Sequence, residues 1–143
     1  MGMELTKQER KLLIAGALQA RNMAYAPYSH YQVGAALLTE GGKLYQGGNI
    51  ENASYGATNC AERTAFFKAV SEGEQVFRAI AIAGGLAGES PVDYAFPCGI
   101  CRQVMQEFCK QDFKVLVVKG TEDVKEFTLG ELLPYGFGGE AIR

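Results

Sequence analysis

Two short stretches hold most of the side chains that could do chemistry: "NCAERTA", Asn59 to Ala65, and "PCGICRQ", Pro97 to Gln103. They bring three cysteines, Cys60, Cys98 and Cys101, and one carboxylate, Glu62. Metals bind thiolate, not thiol, and a free cysteine ionises only near pH 8.5. The apolar periodicity after each stretch predicts a helix, which places Cys60 at the start of one helix and Cys98 and Cys101 at the start of another. A helix N-terminus offers unpaired N–H groups and the positive end of its dipole, so anions are favoured there. All three sulfurs therefore stand where ionisation is easiest. Zn²⁺ takes sulfur ligands in a tetrahedron, and three protein ligands leave a fourth position open, as catalytic rather than structural sites do. Glu62 follows Cys60 by two residues and falls within reach of that position. A glutamate between the first ligand and a later P-C-x-x-C pair fits a hydrolytic zinc site, with an activated water as nucleophile and Glu62 as acid and base.

Each part has a plainer reading. Glu62 stands three residues after Asn59 and could be the reciprocal partner in a helix capping box. The pair in "CGIC" could be a thiol redox couple, or half of a four-cysteine structural zinc site. Cys109 is the remaining cysteine. It shares a helix face with Cys101 and Met105 but lies about 12 Å further along the axis, so it reads as a small buried apolar residue. The redox reading leaves Cys60 and Glu62 unexplained, and the structural reading lacks a nearby fourth thiol. His30, the single histidine, sits beside Pro27 and Ser29 in a predicted turn and reads as a surface residue.

The elements that must hold these residues follow from local pattern. Thr6 with Glu9 reads as a capping box, and apolar residues recur at helical spacing from Leu12 to Met23 or Ala24, until Pro27. Tyr31 to Leu38 and Leu44 to Gly47 read as a hairpin around "EGG" at 40–42. Ala61 to Val70 reads as a helix closed by "SEG". "AIAIAGG", Ala79 to Gly85, and "VLVV", Val115 to Val118, read as buried strands. Between them a loop, "LAGESPVDYAF", leads to Pro97, which suits a helix start. Thr128 with Glu131 caps a short last helix. Helices alternating with strands after an opening hairpin predict one layered α/β domain on a mixed sheet.

A chain of 143 residues is expected to form a single domain, 1–143. At that length it buries about 68–70% of its unfolded surface and needs no disulfide staples. A net charge of −2 argues against nucleic acid as a partner. No apolar run is long enough to span a membrane. The N-terminus lacks the apolar core of a secretory signal, so the cytoplasm is the expected location, where cysteines serve as metal ligands or catalysts rather than bridges. The Met1-Gly2-Met3 start is either native or a cloning remnant.

Nearly the whole chain resembles the small zinc-dependent cytidine deaminases that form homotetramers. The resemblance runs from "AYAPYSHYQVGAALL" through "GGNIENASYGATNCAERTAFFKAVSEG" and "PCGICRQVMQEF" to "ELLPYGF". The order "NIENASY", "CAE", "PCxxCRQ" is highly specific. It implies a three-layer α-β-α sandwich around a mixed sheet of about five strands. It implies one Zn²⁺ per subunit on Cys60, Cys98 and Cys101, with a water that attacks C4 of cytidine or deoxycytidine and Glu62 shuttling protons. Asn49 and Glu51 would bind the ribose hydroxyls, and Ala61 with Glu62 would read the pyrimidine's polar edge. Tyr31 would pack near the base, while Tyr55 and Phe137 would reach the pocket of a neighbouring subunit. Arg63 is expected to hydrogen-bond a ligating sulfur, with a physical reason: three thiolates and one Zn²⁺ sum to −1, and a guanidinium drains charge from sulfur. Gln103 is expected to act similarly. A related substrate such as blasticidin S, or a non-catalytic zinc or thiol module, remains the competing expectation.

Overall fold

Thr6 opens the first helix, α1 (Lys7–Ala20), through a reciprocal capping box: its Oγ1 accepts from the Glu9 N–H at 3.0 Å, and Glu9 Oε1 accepts from the Thr6 N–H at 3.0 Å. The computed structural model describes residues 4–142, so the Met1-Gly2-Met3 start lies outside the described residues. A single 3₁₀ turn at Arg21–Met23 ends the helical segment before Pro27. The chain then runs through β1 (Tyr31–Thr39), β2 (Leu44–Gly48), α2 (Ala61–Ser71), β3 (Phe77–Leu86), α3 (Gly99–Phe108), β4 (Lys114–Gly120), β5 (Asp123–Thr128) and α4 (Leu129–Leu132).

The sheet has five strands in the order β2-β1-β3-β4-β5. Only β3 and β4 are parallel; the other neighbours are antiparallel. The parallel pair needs a crossover, and α3 supplies it. Side chains alternate across each strand. Ala35, Leu37, Ile80, Ile82, Val115 and Val117 face α2 and α3, where Phe66, Met105 and Phe113 fill the core. Ala36, Leu38, Ala79, Ala81, Ala83, Leu116 and Val118 face α1, against Leu13, Ile14 and Ala17. One helix on one face and three on the other make the α-β-α sandwich that the resemblance implies.

Two points differ from the reading of local pattern. β5, "DVKEFT", carries Asp123, Lys125 and Glu126 and has no apolar run, because it is an edge strand and charge there discourages further pairing. Pro97 does not open α3. Cys98 is the N-cap and Pro97 stands one residue before it.

Helix α2 lies very close to β2. A Cβ added at Gly47 would sit 2.7 Å from both the Ala61 carbonyl oxygen and the Ala65 nitrogen. No larger residue fits, so glycine at 47 fixes how near the first turn of α2 comes to the sheet.

Candidate active site

The loops leaving β2 and β3 both end at helix N-termini, and these meet. Cys60 is the N-cap of α2, Cys98 is the N-cap of α3, and Cys101 is buried in the first turn of α3. The sulfurs of Cys60 and Cys98 are 3.7 Å apart, and those of Cys98 and Cys101 are 3.5 Å apart. All three lie within 4.8 Å of one another. Sulfurs bound at about 2.3 Å to one tetrahedral zinc stand about 3.8 Å apart. Two of the three separations are close to that value, and the cluster fits Zn²⁺. Among the described residues no fourth His, Cys, Asp or Glu joins it, and Cys109 lies at the far end of α3. Neither the four-cysteine structural site nor the capping reading of Glu62 matches this geometry. The N-cap of α2 is Cys60, not Asn59, and Glu62 makes no cap hydrogen bond.

Glu62 turns inward instead. Only 4% of it is exposed, inside a cavity of about 370 Å³ that Cys60, Ala61 and Cys98 also line. Burial pushes its carboxyl up to about 7, against the pull of its own backbone N–H and with a further push from the Cys60 charge. Cys60 moves the opposite way. A hydrogen bond from the Cys101 thiol, and others from Arg63 and Cys98, lower it to about 5 in spite of burial. Cys101 is raised in turn, first because it donates to Cys60 and then because it is buried near Glu62.

Arg63 Nη2 donates to Cys60 Sγ at 3.2 Å. Burial works against its charge, but the bonds to Cys60 and Cys101 outweigh that and raise its pKa. Gln103 is directed elsewhere: its Nε2 donates to the Phe137 carbonyl at 2.9 Å. Helix positions i and i+2 are about 200° apart around the axis, so Gln103 and Cys101 cannot share a face.

Tyr31, Asn49 and Ala61 line the cavity with Glu62. Ala61, as first residue of α2, carries an N–H for which the helix provides no acceptor. Asn49 is buried, and its side chain pins β1: Oδ1 accepts from the Val33 N–H at 2.9 Å and Nδ2 donates to the Tyr31 carbonyl at 3.0 Å. The Tyr31 ring lies against Gly84, where a Cβ would come within 2.9 Å of its Cε2. Glu51 and Tyr55 line an adjoining cleft of about 400 Å³ that shares Thr58 with the first. The Glu51 carboxylate accepts from the Ser29 hydroxyl and from the N–H groups of Tyr28 and Ser29, at 3.0 and 3.1 Å, and the Ser29 hydroxyl leads in lowering its pKa. Phe137 is apart from the others. It lines a separate cleft of about 760 Å³ near the end of α3 and is 62% exposed.

The cavity also takes in Asn59, which heads the first motif, and Val33, Thr58, Ile82, Ala95 and Phe96, which the motifs do not single out. Val33 carried a signal, since it follows Tyr31 by two along a strand and so shares its face. Two arginines act from outside the cavity. Buried Arg21 donates to the carbonyls of Gln32, Leu86 and Glu89, and Arg102 Nε donates to the Pro97 carbonyl at 2.8 Å. Both hold the segment between β3 and α3 that delivers Cys98.

Residues 7–117 match the family model "Cytidine and deoxycytidylate deaminase zinc-binding region". The chain belongs to the cytidine deaminase family. A cytidine deaminase of Halalkalibacterium halodurans is 52% identical over 94% of this chain and 98% of its own length. One from Sporosarcina psychrophila is 51% identical, over 91% and 92% respectively. Among solved structures, the cytidine deaminase of Burkholderia pseudomallei superposes with a TM-score of 0.81 at 45% identity, covering 93% of this chain and all of that one. Membership gives the three-sulfur cluster its zinc, and the fold is that of these relatives.

Proposed function

We propose that the chain, as one catalytic domain over 1–143, deaminates cytidine and deoxycytidine hydrolytically, giving uridine and deoxyuridine with release of ammonia. The observation that carries this reading is a buried carboxyl, Glu62, sharing one cavity with Cys60 and Cys98, two members of a three-sulfur cluster that Cys101 completes. Zn²⁺ bound by Cys60, Cys98 and Cys101 supplies Lewis acidity that lets a water attack near neutral pH. The remaining work belongs to the chain. Glu62, a buried carboxyl raised above the usual carboxylate range, is placed to take and give a proton there. It takes one from the attacking water and passes it to N3, the ring nitrogen beside C4. It then carries a second to the departing amine. The C4–N bond breaks, a C4–O bond replaces it, and no electrons are transferred to or from a cofactor.

Around that centre the other residues bind and orient. The Ala61 N–H and Glu62 meet the polar edge of the base, and Tyr31 packs beside the ring. Asn49 and Glu51 take the ribose hydroxyls, a task for which the lowered pKa of Glu51 keeps it an acceptor. Arg63 withdraws charge from Cys60, and Gln103 supports the tail through Phe137. Tyr55, 80% exposed, and Phe137 complete the pocket of a neighbouring copy in a homotetramer. Support for assembly comes from the exposure of Tyr55 and Phe137, aromatic side chains that a neighbouring copy would cover. The enzyme works in the cytoplasm in pyrimidine salvage, a reading supported by its similarity to bacterial cytidine deaminases. Among the described residues no helix is long and apolar enough to cross a membrane.

The test is turnover of cytidine, followed by ultraviolet absorbance, with deoxycytidine and blasticidin S alongside. Activity should vanish on chelation and return with zinc. Zinc bound without turnover of any of the three identifies a non-catalytic module and overturns the reading; turnover of blasticidin S alone moves the substrate.

A further inference from the structure

The cavity has two walls that converge on the sulfur cluster. One is the start of α2, with Cys60, Ala61 and Glu62; the other is the segment before α3, with Ala95, Phe96 and Cys98. We infer that Phe96 is a specificity-determining residue that limits the size of the substituent at C5 of the pyrimidine, an inference that rests on the cytidine deaminase reading of the site. The reacting carbon, C4, has two ring neighbours, N3 and C5. Proton transfer from Glu62 requires N3 to face the α2 wall. C5 then points away from Glu62, toward the wall that carries Phe96.

A wall discriminates by size only if it cannot yield, and this one is held at three neighbouring residues. The Tyr94 hydroxyl donates to the Asp123 carboxylate, and Lys119 Nζ and Lys125 Nζ stand 5.4 and 4.5 Å from the centre of its ring. The Phe96 ring packs on Phe127 with centroids 5.5 Å apart. The Pro97 carbonyl accepts from Arg102. Asp123, Lys125 and Phe127 all belong to β5. The edge strand with no role in the zinc site thus acts as a buttress behind the pocket wall. Phe96 itself lines the cavity and is 46% exposed, which places it toward the cavity's mouth.

The experiment compares kcat/KM for cytidine, 5-fluorocytidine and 5-iodocytidine on zinc-loaded native protein, Phe96→Ala, Phe96→Leu and Phe127→Ala. Fluorine is close to hydrogen in size, whereas iodine must press on the rim. In Phe96→Ala the iodo-to-cytidine ratio is expected to rise roughly tenfold or more, the scale of relieving an overpacked contact. Phe96→Leu should give a smaller rise. Phe127→Ala should raise the ratio in the same direction. The fluoro-to-cytidine ratio should stay constant throughout. If cytidine is turned over while the iodo ratio stays within about twofold of native in Phe96→Leu and Phe127→Ala, the inference is overturned and the deaminase reading stands. Those two variants decide the matter even where Phe96→Ala fails to hold zinc. Absence of native turnover on cytidine would overturn both.

Discussion

Replacing Glu62 by Gln separates chemistry from architecture at this site. Gln has the same shape and can donate hydrogen bonds, but it cannot accept and return a proton. Glu62 is assigned two dependent transfers, to N3 and to the leaving amine, and a positioned acid or base is worth 10²–10⁴ in rate. Because only 4% of the residue is exposed, bulk water cannot substitute. Losing both transfers should lower kcat by about 10⁴ or more, about 5.5 kcal/mol of barrier. Folding should move the other way. The folded carboxyl titrates at about 7 against an ordinary 4.5. Below the lower value both states are protonated and burial has no charge to oppose. As pH rises through that window the unfolded chain releases its proton first, so stability falls. Above the upper value the folded protein carries the full cost, about 3 kcal/mol. Glu62→Gln removes it. In chelated protein the variant should therefore be more stable than native at pH 8 and indistinguishable at pH 4. The assays are steady-state turnover and zinc content of the loaded protein, and denaturant unfolding of the chelated protein at both pH values. A loss of kcat under about tenfold with zinc retained would refute the proton role. Equal stability of the two proteins at pH 8 would refute the buried, perturbed carboxyl.

Three further substitutions probe the surroundings. Cys98→Ala leaves two sulfurs and should lose zinc together with thermal stability, since metal–ligand bonds contribute to folding; a full zinc complement would remove Cys98 from the ligand set. Gly47→Ala forces a methyl to within 2.7 Å of the backbone of α2 at Ala61 and Ala65. It should cost about 1–3 kcal/mol and weaken zinc binding by shifting Cys60, whereas a native unfolding midpoint would show that the approach of α2 to β2 is not tight. Phe137→Ala should raise KM in an assembly that sedimentation shows to be intact; unchanged KM and kcat would place Phe137 outside any pocket.

What was legible in the sequence was local. Thr6 with Glu9 and Thr128 with Glu131 are capping boxes in both sequence and structure, because both partners lie within one turn. The third such pair, Asn59 with Glu62, has the same spacing but does not cap, since the helix begins one residue later than that pairing requires. Sequence spacing alone could not decide the matter; the register of the first turn did. The strands with apolar runs were equally plain. β5 was not, because at an edge its charged residues face solvent and no burial pattern marks it.

The less legible part of the site has a common physical form: side chains whose partners are main-chain carbonyls or rings from distant segments. Arg21 finds acceptors at Gln32, Leu86 and Glu89, and Arg102 finds them at Pro97 and Leu132. A main-chain carbonyl leaves no trace in the identity of the residue that owns it, so no motif can announce these contacts. Yet they set how precisely Cys98 reaches Cys60. The sulfur cluster joins two helix starts that come from loops after different strands, and a shift of either loop would open it. A metal could draw the sulfurs together from a looser arrangement, but only by ordering both loops as it bound, at a cost in affinity. With S–S separations of 3.7 and 3.5 Å against the 3.8 Å or so that tetrahedral zinc asks for, little is left for the metal to order. Loosening the arginine-held loop or the close approach at Gly47 is therefore expected to lower zinc affinity, which titration of the metal-free variants with zinc would show. The ligands are read from three cysteines, and their preorganisation from residues that never touch the metal.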